Sequence, residues 1–352
     1  MSASATSASY SPQLPIGVAV LGLGRWGINW LRNFMQHPGA SVIAVADNLS
    51  INLEKVAALN PTETPYCTTD WQAAIAQPGV EAVVIVTPAV THFELISTAL
   101  ELGLHVLVEK PITVNSQAAI AAAELADRQG KILMVDHTYL FNPAIQRGQD
   151  AVPDLGALRY AYATRSHLGP VRLDVDVMWD LAIHDLVILN HWLGQAPVSV
   201  QAKPMSWLQS TGLADTVWAT LTYPNGLEAT MHWAWANHDK QRRIGLVGDR
   251  GTLIFNELAA APLTCEQGEF EKQGNFFVPI SQSRQVLDYI PGEPLANACQ
   301  HFLDCIQANR QSDFANAWEG AKLVQMLEAL ALSMGMQGEP IAVEYGKVPA
   351  LV

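Results

Sequence analysis

The sequence predicts a two-domain α/β chain: an N-terminal doubly wound parallel sheet, then a C-terminal α/β domain built on a largely antiparallel sheet. Three observations predict it. The 352 residues are about twice the ~150 of a typical domain. From Ile16 onward, short β-rich apolar runs alternate with stretches of helical periodicity, as βαβ units do. After about Asn142 the rhythm changes to longer β-like stretches joined by turn-forming residues.

In the first part, the strands are Ile16 to Leu21, Ser41 to Ala46, Ala82 to Thr87, His105 to Val108 and Ile132 to Val135. Their Val, Ile, Leu and Ala content suits strands buried on both faces. Helical patterns fall between them at Arg25 to Gln36, Ile51 to Leu59, Trp71 to Ala76, His92 to Leu102 and Gln117 to Gln129, with turns at Pro38-Gly39, Pro78-Gly79 and Gly130. The second part reads as strands Leu158 to His167, Val198 to Trp207, Thr216 to Tyr223, Leu227 to Trp235 and Arg243 to Val247, with one early helix, Met178 to Leu193. Pro224-Asn225-Gly226 and Gly248-Asp249-Arg250-Gly251 are hairpin turns. Helices Leu295 to Ala308 and Ala317 to Met334 precede a short strand near Ile341. The expected division is a tail (1–14), a dinucleotide domain (15–140) and a substrate and oligomerisation domain (141–352).

Composition narrows the partners. With 33 acidic against 20 basic residues the net charge is -13, so the surface repels a nucleic-acid backbone. No apolar run approaches the roughly 18 residues of a membrane span. Met1 to Gln13 is rich in Ser, Ala and Thr, with neither the basic nor the apolar region of a secretory signal, which reads as the disordered tail of a cytoplasmic enzyme. Cys67, Cys265, Cys299 and Cys305 show no ligand or bridge spacing and are expected as buried thiols.

Gly22-Leu23-Gly24-Arg25-Trp26-Gly27 lies between the first strand and the first helix. There the backbone can approach a pyrophosphate, and the helix N-terminus supplies N–H donors, as in a Rossmann fold. Asp47, at the end of the second strand, either accepts hydrogen bonds from the adenosine ribose hydroxyls or caps its own turn. The ribose reading selects NAD, because a 2'-phosphate would meet like charge there; NADP is the lesser expectation. Thr87-Pro88 and Thr91-His92 sit at another strand's carboxyl end, where they either line the nicotinamide side or cap a helix.

Glu109-Lys110-Pro111 ends a further apolar strand facing the same crevice. A lysine there is partly desolvated and free to act on a substrate oxygen. Asp180 and His184 share one helix face at i, i+4. They make either an acid/base pair, in which the carboxylate orients the imidazole and raises its pKa, or a capped helix with a core histidine. Clustered Cys and His ligands are lacking, so no metal is expected.

These residues, together with His137-Thr138-Tyr139-Leu140-Phe141-Asn142-Pro143 and Trp179-Asp180-Leu181-Ala182-Ile183-His184-Asp185, give a chain that resembles the Gfo/Idh/MocA oxidoreductases of sugars, inositols and related alcohols. The resemblance implies that Lys110 binds the reacting oxygen, that His184 is the acid/base and that Asp180 is its partner. It also implies an open second sheet, with the substrate on one face and a homodimer or homotetramer contact on the other. Leu168-Gly169-Pro170-Val171-Arg172 followed by Trp179-Asp180 is similar to a nucleotide-sugar dehydrogenase subgroup, including enzymes acting at C3 of UDP-N-acetylglucosamine-type sugars. Val177-Met178-Trp179, Ile183 and Asp136 depart from the common Gly-rich residues, Pro and Gly. Arg165, Arg172 and Lys203 are either the groups that would meet a diphosphate or solvated surface cations. The competing expectations are an inositol or polyol dehydrogenase and a non-catalytic NAD-binding regulator.

Overall fold

A computed structural model describes residues 14–209 and 212–346, so the expectation for the N-terminal tail lies outside the described residues. The first sheet is formed by β1 (Ile16–Leu21), β2 (Ala40–Ala46), β3 (Tyr66–Thr68), β4 (Ala82–Ile85), β5 (His105–Glu109) and β6 (Leu133–Asp136). All its pairings are parallel, in the order β3-β2-β1-β4-β5-β6. The crossovers carry α1 (Gly27–Gln36), α2 (Ser50–Ala58), α3 (Trp71–Ile75), α4 (His92–Glu101) and α5 (Ser116–Gln129). The order reverses between β1 and β4, which opens a crevice at the strands' carboxyl ends.

Next come α6 (Pro143–Ala151), β7 (Leu158–Leu168), α7 (Val177–Leu193), β8 (Ser199–Met205), β9 (Thr216–Thr222), β10 (Glu228–Ala234), β11 (Ala236–Gly248), β12 (Gly251–Asn256), β13 (Leu263–Gln273) and β14 (Phe276–Val286). The chain ends in α8 (Pro294–Ala308), α9 (Ala317–Gly335) and β15 (Ile341–Ala342). The second sheet runs β14-β13-β12-β11-β7-β10-β9-β8-β15 and is antiparallel except where β10 lies parallel to β7. α7 covers one face of it, burying Ala182, Leu186 and Leu189 in a core with Trp233 and Leu246.

The two C-terminal helices return to the first sheet. Leu295, Cys299 and Phe302 of α8 pack among Trp30, Leu31 and Phe34, and Ala317, Ala321 and Val324 of α9 join Ala119 and Val135. Burying a side chain the size of Phe302 stabilises by about 1.5–3 kcal/mol. Gly320 lets α9 approach the sheet, since a Cβ there would stand 2.8 Å from Val135 Cγ2. The second domain is therefore clasped to the first by its own C-terminus.

Three sequence expectations change. β3 was not anticipated, and it is the edge strand, so Cys67 is exposed while the other three thiols are buried. α6, β12 and the β13–β14 arm are also additional elements. β11 begins at Ala236, well before the expected Arg243, because its first half is polar and pairs with β7 through an irregular register.

Candidate active site

The glycine loop turns at the end of β1 for steric reasons. Gly22 has φ +91°, and a Cβ on it would lie 2.6 Å from the Val86 carbonyl oxygen. A Cβ on Gly27 would lie 1.9 Å from the Gly22 oxygen, so α1 can begin this close only with glycine. Gly24 differs: a Cβ there would meet nothing within 4 Å, and the residue lines a cavity of about 1180 Å³ together with Arg25 and Trp26. This bare backbone at a helix N-terminus fits a dinucleotide pyrophosphate.

Asp47 lines the same cavity. Its Oδ2 accepts from the Leu23 backbone N at 2.6 Å, and its Oδ1 accepts from the Leu49 N at 2.9 Å and Asn52 Nδ2 at 3.0 Å. The turn-capping arrangement weighed from sequence is thus present, and it also braces the glycine loop. Thr87, Pro88 and Thr91 line the cavity as well. The Thr91 hydroxyl donates to the Pro88 carbonyl and makes no helix cap.

His92 is a correction. It is fully buried, with Nδ1 2.9 Å from the Pro111 carbonyl and Nε2 2.9 Å from the Thr87 carbonyl. It ties the ends of two strands together and does not line the cavity, because its position in the first turn of α4 points the ring inward.

Glu109 and Lys110 end β5 beside the cavity. Glu109 accepts from Trp30 Nε1 at 2.9 Å and from the Lys110 backbone N at 3.2 Å. Lys110 Nζ donates to the Asp180 carbonyl at 3.3 Å, across from the second domain. Burial lowers the Lys110 pKa, against the opposing pull of the Asp180 and Glu109 charges.

Asp176 caps α7, accepting from the Trp179 N at 2.9 Å, and this places Trp179, Asp180 and His184 on the cavity wall. The expected Asp180–His184 bond is absent among the described residues. Asp180 Oδ2 instead accepts from Trp235 Nε1 at 3.3 Å, and its Oδ1 accepts from Arg172 Nη1 at 3.4 Å. The expected rise in the His184 pKa is reversed too. Burial first, then the positive charges of Lys110 and Arg165, hold this imidazole well below its ordinary value.

The three candidate cations separate. Arg165 is buried, its Nε and Nη2 donating to Asp185 Oδ1 at 3.0 and 2.7 Å and its Nη1 to the Tyr139 hydroxyl at 2.8 Å. It borders the cavity as an internal strut, because the second Asp185 oxygen is itself held by Trp233. Lys203, on β8, is exposed beside Gly338 and is not on the cavity wall. Arg172 is on the wall and half-exposed, paired with Asp174 and Asp180.

Sequence reasoning passed over Tyr139, His167, Arg242 and Glu257, all on the cavity wall. Tyr139 donates to Glu257, which pairs with Arg242 at 2.6 Å, and the Tyr139 ring meets His184 edge-on at 5.3 Å. Tyr139 stands within the quoted His137–Pro143 motif, a signal that was available. Arg242 and Glu257 carried none, since each lies far along the chain from the other motifs.

Lys110 and His184 thus meet at the cavity that the parallel sheet opens at its carboxyl ends. Residues 16–137 match the family model described as an oxidoreductase family with an NAD-binding Rossmann fold, and residues 128–254 match the GFO/IDH/MocA C-terminal domain. The UDP-N-acetylglucosamine 3-dehydrogenase of Acidithiobacillus ferrooxidans is 32% identical over 62% of this chain and 68% of that protein. The scyllo-inositol 2-dehydrogenase (NAD(+)) of Bacillus subtilis is 27% identical over 82% of this chain and 85% of that protein. An oxidoreductase structure from Magnetospirillum magnetotacticum superposes with a TM-score of 0.78 at 30% identity, covering 90% of this chain and 99% of that one. The chain belongs to the GFO/IDH/MocA family of oxidoreductases.

Proposed function

We propose that the protein is an NAD-dependent dehydrogenase that oxidises or reduces a secondary alcohol of a nucleotide-activated amino sugar, of the UDP-N-acetylglucosamine type at C3. The observation that carries this is the continuity of the cavity. It runs from Asp47 and the glycine loop, past Lys110 and His184, to Arg172 and Arg242. Its volume of about 1180 Å³ exceeds the roughly 300–1,000 Å³ that houses one drug-sized ligand.

NAD would be held by the glycine loop and Asp47 and would supply the hydride acceptor for the carbinol carbon. The protein does the rest. The Lys110 ammonium donates to the reacting oxygen and eases its deprotonation. His184, kept neutral by burial and surrounding cations, accepts the hydroxyl proton. Asp180 is assigned to Lys110 as its counter-charge, oriented by Trp235 and Arg172. Asp47 favours NAD through repulsion of a 2'-phosphate. Arg172 and Arg242, in place of Arg165 and Lys203, are assigned to the diphosphate.

The division into a 15–140 cofactor domain and a 141–352 substrate and assembly domain belongs to the same reading. The uncovered sheet face carries Tyr160 and Trp218, each 51% exposed, the latter stacked on His232, and it suits a homodimer or homotetramer contact.

The inositol dehydrogenase relative aligns over more of the chain, so the two substrate classes are tested together. UDP-N-acetylglucosamine should raise the melting midpoint and yield NADH, and inositols should do so weakly. Arg242→Ala should raise KM for the UDP-sugar about tenfold, the equivalent of one lost interaction of about 1.4 kcal/mol, with NAD affinity unchanged. Preferential turnover of inositols would replace the nucleotide sugar with a polyol. NAD binding without turnover of either class would point to a regulator.

A further inference from the structure

Glu109 and Asp136 are register partners at the ends of the neighbouring parallel strands β5 and β6, so their carboxyls leave the same face of the sheet. They come within hydrogen-bonding reach of each other. Glu109 has donors for both oxygens, from Trp30 and from the Lys110 amide. Asp136 is 1% exposed, and its Oδ2 accepts from Thr138 Oγ1 at 2.8 Å. Its Oδ1 is sealed from solvent and has no donor among the described residues. Two ionised carboxylates so placed would repel, and an unpaired buried charge is costly. One proton on Asp136 Oδ1 removes both penalties.

We propose that Asp136 is a protonated, neutral acid that donates a hydrogen bond from Oδ1 to Glu109, so that the pair holds a single negative charge behind Lys110. Asp136 is then a positioning residue acting through Glu109. A singly charged pair leaves Glu109 holding Trp30 and the Lys110 amide in place. A doubly charged pair would draw the Lys110 ammonium back from Asp180 and the cavity.

The surrounding groups agree. Burial, then the charge of Glu109, pushes Asp136 well above the ordinary carboxylate range. Burial raises Glu109 too, opposed by the hydrogen bond from Trp30, the charge of Lys110 and the bond from Asp136. From the remaining elements the pair faces Lys110 at the end of β5, and Asp136 acts on the Cys299 thiol of α8, which burial and then that charge keep protonated, with Glu293 ahead of α8 as the thiol's next charge.

Infrared absorption of the intact protein at neutral pH tests this. Wild type should show a protonated carboxylic-acid C=O stretch that shifts in D2O, and Asp136→Asn should lose it. Glu109→Gln should lose it as well, because the new amide donates to Asp136, which then ionises beside Lys110; this variant decides the matter if Asp136→Asn does not fold. The proton held by Asp136 in the folded state also means that the wild-type midpoint falls relative to Asp136→Asn as pH rises. A wild-type spectrum without the band, or a band unchanged in these variants, would overturn the proposal. None of these readouts needs substrate, so their failure is separate from failure of the dehydrogenase reading.

Discussion

His184 shows how much a side chain's chemistry depends on what surrounds it. The i, i+4 spacing put it on the same helix face as Asp180, and both line the cavity. The spacing could not reveal that Trp235 and Arg172 hold the carboxylate, since those partners come from other segments. The imidazole consequently sits among cations and stays neutral at physiological pH. A neutral base that needs no prior deprotonation is suited to removing a hydroxyl proton. His184→Ala should therefore lower kcat by at least about 100-fold, the lower end of general-base contributions, while the NAD dissociation constant changes little. Titration of NAD by fluorescence beside steady-state turnover separates the two effects. A loss of only a few fold would move the proton acceptor to another group, with Lys110 the next in reach of the cavity.

At the scale of elements, the glycine loop yields a paired prediction. Gly24 faces open cavity, so Gly24→Ala should fold with its midpoint unchanged and weaken NAD binding by about tenfold or more, as the new methyl occupies the path of the pyrophosphate. Gly27 packs against the Gly22 carbonyl, so Gly27→Ala should lower the midpoint itself. Equal effects of the two variants on stability would remove the cofactor role from Gly24. The legible elements were those with strong apolar periodicity: β1, β4, β5 and β6, each buried on both faces, and the long α7. The β13–β14 arm escaped because Gln267 to Gln273 is polar and largely exposed, offering no alternation to read. α6 escaped for a similar reason, its sequence carrying few apolar residues between Pro143 and Ala151. In the site, Lys110, Asp180 and His184 were legible from motif order. Arg242 and Glu257 were not, because only the sheet's fold brings β11 and the end of β12 to the cavity. Arg165 and His92 were given ligand roles, yet both are buried among internal partners, because sequence shows no burial for such a polar residue.

Across the whole molecule, several histidines are held in the interior or half-buried against it, and this makes acid stability a property of the folded chain. His137 is 2% exposed with no partner for either ring nitrogen among the described residues, and burial, then the charge of Lys110, lowers its pKa to about 3. Burial, then the charge of Lys131, takes His105 down to about 4. Burial also lowers His92 and His184. In the unfolded chain these groups take up protons near the ordinary histidine value of 6.5, so below that pH the unfolded state binds more protons than the folded one. Stability therefore rises with pH in this window and is lost as pH falls from 6.5 toward the folded values of about 4 and about 3. Carboxylates contribute to acid unfolding mainly below about pH 5, which leaves the interval above it to the histidines. The melting midpoint should fall between about pH 6.5 and about 5, and His137→Asn, which cannot titrate, should flatten that limb. Calorimetry across this interval checks it: an identical slope in wild type and variant would show that His137 does not couple proton uptake to unfolding. Asp136 carries the opposite dependence, which begins at the unfolded carboxylate pKa of about 3.9 and continues upward, so Asp136→Asn should steepen the same limb that His137→Asn flattens.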